Sequence, residues 1–492
     1  MFLEQTSVFA VAPAVLRADR LDYLFQHPSL DPVHSALTSG IGKPLSQFTT
    51  QPEYGENSRS YPEGDCGFLN VQHLQSDGRI DFDPPGYLEE CPSTGLLDAG
   101  DILIARTGST LGKAALITEE YKGFAFGSFC LRFRVSDPGE ADPGFVACFL
   151  NSKLGRIQSE LLKTGSGKHN INAQQVGMLC IPRIDVATQC ELRAGFDKLG
   201  DIAMKLHALG IAEILSARQT LFAALGLSEV SDERNLFFQT GNERSSRWFS
   251  RAVSELDDRL HFHWYHPESD QVDNFVKQCQ TSTIGEILSV PIIRGVSPEY
   301  DELGDYVALK TADLRTGFID YDNALRVTEE FFLAHTDCHV RKGDVVVAAT
   351  GLKSMGKVEV YEGEDPALLS GELLGLRVSD AYDPYVLCEF LRSRIGQLQF
   401  NKRFSGSSGQ IHIYDSDVSE FLVPAASGDW EMSHQMMTQL GEAVRDKRRQ
   451  SLRFLAAAEF ARSLAFARLE DKLFPLLGDG WGPLLSLLRE SA

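Results

Sequence analysis

Two loops rich in glycine, hydroxyl and lysine residues carry the side chains of this chain that are best suited to chemistry. One loop ends the stretch Gly100-Asp-Ile-Leu-Ile-Ala-Arg-Thr-Gly108-Ser-Thr-Leu-Gly-Lys113, and the other ends Gly343-Asp-Val-Val-Val-Ala-Ala-Thr-Gly351-Leu-Lys-Ser-Met-Gly-Lys357. Two glycine- and serine-rich turns, Thr164-Gly-Ser-Gly-Lys-His169 and Ser405-Gly-Ser-Ser-Gly-Gln410, follow them along the chain. Hydroxyl, amide, guanidinium and ammonium groups can hold phosphates and distinguish base edges. These four segments are therefore the candidate binding surfaces.

The candidate contact residues are polar or cationic side chains in or beside these segments. In the first half they are Arg106, Thr107, Ser109, Lys113, Lys163, Ser166, Lys168 and His169. In the second half they are Lys353, Ser354, Lys357, Lys402, Arg403, Ser407, Gln410 and His412. Four glycines are expected instead to shape the loops, because glycine readily adopts positive φ. They are Gly108, Gly112, Gly351 and Gly356. For any single polar residue, the alternative is an exposed loop position that makes no contact.

The second loop has the spacing of a nucleotide-binding P-loop but lacks its other features. Gly351–Lys357 fits G-x-x-x-x-G-K, yet Val358 stands where a serine or threonine would hold magnesium. The residues after it, Val-Glu-Val-Tyr, predict a strand, whereas a P-loop leads into a helix N-terminus. Nucleotide hydrolysis is therefore not expected.

Other catalytic and metal-binding patterns are also incomplete. Asp83-Pro-Pro-Gly-Tyr87 is close to the D/N-P-P-Y/F of amino-methyltransferases, but a glycine intervenes and no glycine-rich cofactor loop accompanies it. The three histidines of His261-Phe-His-Trp-Tyr-His266 have no accompanying ligand set. No Ser/His/Asp, Cys/His or paired carboxylate set stands out. The nine cysteines are scattered without a C-x-x-C pair, which favours a reducing cytoplasm. The sequence predicts no catalytic site and no metal site.

The elements around the loops occur twice, which indicates two homologous halves. Asp19-Arg-Leu-Asp-Tyr-Leu-Phe-Gln-His-Pro28 matches Asp258-Arg-Leu-His-Phe-His-Trp-Tyr-His-Pro267. Further along, Phe149-Leu-Asn-Ser-Lys-Leu-Gly155 matches Phe390-Leu-Arg-Ser-Arg-Ile-Gly396. In each half the loop follows a predicted buried strand. In the first half, strands at 114–117 and 131–135 and a single helix over 143–162 are expected to follow.

Two long helices are predicted from apolar residues spaced at threes and fours. The chain divides into a first globular domain (1–184), a long helix (185–225), a linker (226–248), a second globular domain (249–427), and a second long helix with a tail (428–492). The second helix itself covers about 430–472. Such helices most economically pair with each other, antiparallel, and separate the two α/β (α+β) domains.

Charge is the main argument against a nucleic-acid partner. The formal net charge is −21, which is unexpected for a protein that binds a polyanion. However, the acidic surplus lies mostly in residues 1–99 and 226–330, whereas 151–172 and 390–412 carry a positive surplus. Positive charge is thus expected at equivalent places in the two halves. No apolar run approaches the length of a membrane span.

The chain resembles the specificity subunits of type I restriction-modification systems. The resemblance rests on the stretch 100–113, on Gly165-Ser-Gly-Lys-His-Asn-Ile171 before Ile181-Pro182, on Gln189 at the start of the first long helix, and on their second-half equivalents. It implies two target-recognition domains that read a bipartite, asymmetric site in double-stranded DNA. It also implies that the chain is not an enzyme and holds no cofactor itself.

The same resemblance implies partners and leaves alternatives. Two copies of an adenine methyltransferase subunit would dock on the long helices and bring S-adenosylmethionine, with a restriction or translocase subunit as a further partner. The second half departs from the pattern at Ala349, which replaces Arg106, and at Gln410-Ile-His-Ile413. A protein-interaction scaffold, or a specificity factor of another antiviral defence complex, remains an alternative.

Overall fold

A computed structural model of the chain describes most of its residues. The described ranges are 42–61, 64–82, 86–164, 169–226, 264–266, 269–301, 303–315, 317–321, 324–351, 354–407, 410–425, 430–482 and residue 485. The two matching arms at 19–28 and 258–267 fall outside these ranges almost entirely, as do the Asp83-Pro-Pro segment and the histidines at 261 and 263.

The chain forms two compact units, and each long helix is divided between them. One unit runs to Met204 and resumes at Ala458, and the other runs from Lys205 to Ala457. The first unit contains strands β1 (Lys43–Pro44), β2 (Glu53–Tyr54), β3 (Cys66–Leu69), β4 (Tyr87–Leu88), β5 (Asp101–Ala105), β6 (Ala114–Leu116), β7 (Ala125–Phe126), β8 (Cys130–Arg134) and β9 (Cys180–Ile181). Its helices are α1 (Pro143–Asn151), α2 (Lys153–Leu162), α3 (Ala173–Met178) and the beginning of α4 (Val186–Ala224).

The second unit contains the counterparts of these elements in the same order, together with additional strands and helices. Its strands are β10 (Thr281–Thr283), β11 (Ile293–Arg294), β12 (Tyr306–Leu309), β13 (Leu314–Arg315), β14 (Phe318–Ile319), β15 (Leu325–Val327), β16 (His339–Val340), β17 (Val345–Ala348), β18 (Val358–Val360), β19 (Ala367–Leu369), β20 (Leu373–Leu376), β21 (Ser405–Ser407), β22 (Gln410–His412) and β23 (Leu422–Pro424). Its helices are α5 (Asp270–Gln278), α6 (Ile284–Ile287), α7 (Glu329–Ala334), α8 (Pro384–Arg392), α9 (Arg394–Arg403), α10 (Asp415–Ser419) and most of α11 (Trp430–Leu473).

Sheet topology confirms that the halves are homologous. The first unit has an antiparallel sheet in the order β2-β8-β5-β6, and the second has β11-β20-β17-β18. A parallel pair, β3 with β7 or β12 with β19, belongs to a further sheet in each unit. An antiparallel pair, β1 with β9 or β10 with β23, joins the beginning of each unit to its end. The fold is the expected mixture of helix and sheet, duplicated.

The prediction of a single helix over 143–162 is wrong. Two helices, α1 and α2, form there, because Ser152 leaves helical geometry with φ −63° and ψ 165°. Its hydroxyl accepts a hydrogen bond from the Gly155 N–H at 3.4 Å and so caps α2. A Cβ on Gly155 would lie 2.4 Å from the Phe149 carbonyl oxygen, so the bend needs glycine there. Ser393 caps α9 in the same way in the second unit.

The two long helices are confirmed, at Val186–Ala224 and Trp430–Leu473. In the first unit, the rings of Phe196 on α4 and Phe466 on α11 lie 4.8 Å apart. In the second unit, a Cβ on Gly210 would meet Leu455 at 2.8 Å, and Lys447 donates to the Ser216 hydroxyl at 2.7 Å. Since later residues of α4 meet earlier residues of α11, the helices pack antiparallel in this unit.

The second unit buries a cluster of four charged side chains, here called the charged cluster: Glu359 on β18, Glu389 and Arg392 on α8, and Arg448 on α11. Arg392 donates to Glu359 at 2.9 Å, and Arg448 donates to Glu389 at 2.6 Å and also pairs with Glu359. Burial alone would raise the pKa of Glu389, but the neighbouring charges of Arg392 and Arg448 lower it. The carboxylate therefore stays ionised in the core.

Replacing Arg448 with alanine should destabilise the chain by roughly 3–5 kcal/mol, because two buried carboxylates would each lose one of their two arginine partners. Arg453→Ala is the matched control, since Arg453 is exposed on the same helix; it should change stability by less than about 0.5 kcal/mol. Denaturant unfolding of the full chain measures both. Similar unfolding midpoints for the two variants would contradict the prediction.

Candidate nucleic-acid interface

In the first unit, the fold brings one predicted loop and one predicted turn side by side. The loop after β5 closes as a hairpin onto β6, with the Gly112 N–H donating to the Ala105 carbonyl at 2.8 Å. The segment after the turn then pairs with the loop: the Ile171 N–H donates to the Arg106 carbonyl at 2.9 Å, and Thr107 forms a bridge with Asn170. Residues about 60 positions apart in sequence thus form one surface.

The second unit builds the same surface with the same backbone contacts. The Gly356 N–H donates to the Ala348 carbonyl at 2.9 Å and closes the hairpin between β17 and β18. The Ile413 N–H donates to the Ala349 carbonyl at 2.9 Å, and Thr350 forms a bridge with His412. His412 therefore occupies the place of Asn170. The strand β18 follows the loop directly, so Gly351–Lys357 lacks the helix that a P-loop requires.

Arg106 lies at the centre of the first surface, and its guanidinium is fixed by neighbours. Its Nε donates to Asn170 Oδ1 at 3.1 Å and its Nη1 lies 3.4 Å from the Ser128 carbonyl oxygen. The guanidinium also lies over the Tyr54 ring, 4.8 Å from its centroid. Tyr54 and Phe129 are both at least half exposed. An oriented arginine stacked on a half-exposed aromatic ring suits contact with base edges.

The second surface carries different side chains on the same backbone. Ala349 stands in place of Arg106, and its N–H donates to the Glu372 carbonyl as the Arg106 N–H donates to that of Phe129. His412 Nε2 lies 2.7 Å from the Tyr414 hydroxyl, and the Tyr414 side chain is 53% exposed. The surface therefore presents imidazole, phenol and carboxylate groups where the first unit presents guanidinium and phenyl groups.

Two of the candidate lysines lie at the base of the hairpins. The Lys113 carbonyl accepts from the Ala105 N–H, and the Lys357 carbonyl accepts from the Ala348 N–H, both at 2.8 Å. Burial lowers the pKa of each lysine, assisted by the nearby charge of Arg156 for Lys113 and of Arg315 for Lys357. An anion close to either lysine would favour its charged form and oppose this lowering.

Three other candidate cations are paired with acids of the chain. Lys163 pairs with Glu160. Lys402 and Arg403 lie in the last turn of α9, where they pair with Asp273 and Glu420 at 3.6 Å each. Both also lie over the Trp264 ring, at 4.7 and 5.3 Å from its centroid.

The positive surplus expected over 390–412 is therefore smaller than its sequence count. Arg392, one of its four cations, is buried in the charged cluster and cannot contribute to a surface. Two others pair with acids that lie outside this stretch, Asp273 and Glu420.

The remaining candidates are placed only in part. Thr107 and Ser354 lie in the hairpin loops, where the Ser354 N–H donates to the Gly351 carbonyl at 3.0 Å. His169 lies beside the first loop, with its carbonyl 3.4 Å from the Gly108 nitrogen. Ser166, Lys168 and Lys353 lie outside the described residues. The structure also does not describe the side chains of Ser109, Ser407 and Gln410.

Sequence reasoning missed several residues at these surfaces. Asn170 lies within 165–171, a segment on which the family resemblance rests. That position could have indicated its place at the surface. Tyr54 and Phe129 come from β2 and from the turn before β8, and only strand pairing brings them to Arg106. Within the part of the chain that is described, no group of three or more His, Cys, Asp or Glu could hold a metal ion, and no helix is long and apolar enough to cross a membrane.

All four loop glycines have positive φ, between 71° and 88°. Around Gly108 the space for a Cβ is open, whereas a Cβ on Gly112 would lie 2.8 Å from the Ser159 side chain. Gly108→Ala should therefore cost only the backbone strain, roughly 1 kcal/mol. Gly112→Ala should cost clearly more, because strain and collision combine. Thermal melting of both variants tests this ranking, and an equal or reversed order would disprove it.

Comparisons with known proteins give structural neighbours only. No family model matches the chain, and no curated protein matches it. Three solved chains are similar to it, each at 15% identity over 87% of this chain. The type I restriction-modification S subunit from M. genitalium is covered over 95% with a TM-score of 0.37. The HsdS subunit from Thermoanaerobacter tengcongensis is covered over 94% with a TM-score of 0.30. A chain from a structure of the assembly and conformational transition of the type I R-M system is covered over 95% with a TM-score of 0.35.

Proposed function

We propose that this chain is a non-catalytic DNA-recognition subunit that directs adenine methyltransferase partners to a bipartite, asymmetric site in double-stranded DNA. The observation that carries the proposal is the duplicated surface. Each unit pairs a glycine-shaped hairpin loop with a following turn segment, through the same backbone hydrogen bonds, and then presents different side chains.

The chemistry of the first surface favours base reading. A guanidinium that is already oriented by Asn170 and Tyr54 loses little conformational freedom when it binds. Such a fork donates two hydrogen bonds to guanine O6 and N7 in the major groove. Phe129, 57% exposed, offers an apolar contact of the kind that a thymine methyl accepts.

Two surfaces with unlike side chains should read unlike bases. Ala349 cannot replace the donors of Arg106, and His412 with Tyr414 offers different donors and acceptors from Asn170. The two parts of the site should therefore differ in sequence, so that the whole site is not palindromic. Dimeric readers with identical units, by contrast, recognise symmetric half-sites.

Partner subunits would complete the function. In the first unit, Ile202 and Met204 on α4 and Phe460 on α11 are 42%, 48% and 68% exposed. Large apolar side chains exposed on a helix can contribute to an interaction surface. We assign this surface to one of two methyltransferase subunits, which would supply S-adenosylmethionine and flip the target adenine. A restriction or translocase subunit would join the same complex. Its place of action would be the cytoplasm, where unpaired cysteines are stable.

The net charge of −21 favours a second candidate, a scaffold that binds protein through the same surfaces. A specificity factor in a different defence complex would share the DNA-reading step and differ only in its effector. DNA binding separates the first candidate from the scaffold, and the identity of the effector separates it from the specificity factor of a different complex. The acidic surplus is compatible with DNA reading if partner subunits make most of the phosphate contacts.

The purified chain alone should transfer no methyl group to DNA and hydrolyse no ATP. The physical reason is that its P-loop-like segment leads into a strand and its Asp-Pro-Pro segment lacks a cofactor loop. Labelled methyl incorporation and phosphate release measure the two activities. Activity above that of a heat-denatured sample would sink the assignment as a recognition subunit.

Arg106→Ala should change one part of the recognised site, and His412→Ala only the other. Each lost base contact should cost about 1–3 kcal/mol of discrimination. Sequences selected from a random duplex library by the chain with its partners give the two motifs. Lys122→Ala is the control, because Lys122 pairs with Asp98 before β5 begins, at the end of the strand away from the loop. A contiguous palindromic motif, or both parts changing together, would refute the two-reader proposal.

A further inference from the structure

Strand register identifies the residue of the second unit that corresponds to Tyr54. Tyr54 pairs across the sheet with Leu131, and Leu131 pairs on its other side with Ile104. In the second unit, Leu374 pairs with Val347 on one side and with Arg294 on the other. Arg294 therefore occupies the position of Tyr54, and a glycine, Gly55 or Gly295, follows each of them.

The two side chains also reach the same place. The Tyr54 hydroxyl accepts from the Ala173 N–H at 3.4 Å, and Ala173 is the first residue of α3. Arg294 Nε donates to Asp415 Oδ2 at 2.9 Å, and Asp415 is the first residue of α10. In each unit this helix directly follows the turn segment that pairs with the hairpin loop. Arg294 thus belongs to the second surface.

An arginine is consequently present at both surfaces, but it comes from different strands. In the first unit it follows β5, and in the second unit, where Ala349 takes that place, it ends β11. The Arg294 side chain is 71% exposed, and Asp415 is engaged by its Nε and Nη2 atoms. The end of the guanidinium fork, with Nη1 and the second Nη2 proton, is on the side away from the carboxylate.

We propose that Arg294, oriented by Asp415, reads a guanine in the part of the DNA site that the second unit recognises. The inference rests on the proposed function and adds a specificity-determining residue to it. A fork held along one edge by a carboxylate keeps two parallel N–H donors, which match guanine O6 and N7.

The charge around Arg294 favours a base contact over a phosphate contact. Asp415 already balances the positive charge, which weakens the attraction of a phosphate but leaves the directional N–H donors in place. A second exposed carboxylate, Glu372, lies two residues before Leu374, the cross-strand partner of Arg294. It would repel a phosphate and can accept from a base amino group. A lysine at position 294 would keep the charge and lose the fork.

The test compares sequences selected from a random duplex library by the wild-type, Arg294→Ala and Arg294→Lys chains with their partners. Both variants should lose preference for guanine at one position of one half-site, by roughly 5- to 150-fold. All other positions should be unchanged. Lys342→Ala is the matched control, because Lys342 forms an exposed ion pair with Glu364 before β17 begins, at the far end of that strand. It should leave the whole motif unchanged.

The outcomes separate this inference from the proposed function. Failure of the wild-type chain to select any motif overturns the proposed function, and this inference with it. An unaltered motif for Arg294→Ala overturns this inference alone. Uniformly weaker binding to all sequences, with a smaller dependence on salt, would identify a phosphate contact and also overturn it. If Arg294→Ala has a lowered melting temperature, Asp415→Asn replaces it, and its expected result is weaker guanine preference at that same position.

Discussion

The register of one antiparallel strand pair in each unit is the constraint on which both surfaces depend. Asp101 faces Arg134 across β5 and β8, and these residues also form a salt bridge at 2.7 Å. Asp344 pairs with Arg377 at the same distance in the second unit. A slip of one residue would turn every buried side chain of the strand to the other face. The ion pair at the start of the strand thus supports the register that places the loop at its end.

Because this backbone is duplicated, the sequence predicts the shared parts of the surfaces well and their differences poorly. The hairpin loops and the long helices are recognisable from glycine spacing and apolar periodicity, which are local signals. Arg294 is different, since it stands in an edge strand of two residues and is equivalent to Tyr54 only through its cross-strand partner. Only long-range hydrogen bonding reveals that equivalence. The break at Ser152 was missed because the apolar stripe continues through both helices.

Counting charge in a sequence window fails for a related reason. Lys402 and Arg403 are unmatched within their own stretch, but Asp273 and Glu420 reach them through the fold. Part of the positive charge of the second unit therefore forms ion pairs within the fold. An oriented arginine such as Arg106, fixed by the Asn170 side-chain amide and the Ser128 carbonyl, keeps its charge while losing mobility. Recognition by a few oriented donors is consistent with an acidic chain, because specificity depends on direction more than on net charge.

The charged cluster shows how the second unit differs from the first behind its surface. Asn151 occupies the place of Arg392 and bonds the backbone of Ala114, beside the first loop. Arg392 and Arg448 instead hold Glu359, which lies in β18 just after the second loop. Apolar packing tolerates small shifts of a helix along a sheet, whereas buried ion pairs require one alignment, as polar residues do in coiled coils. Since Arg448 belongs to α11, the second hairpin is attached to that helix by directional bonds. A partner subunit that moved α11 in this unit would therefore also move β18 and the loop that precedes it.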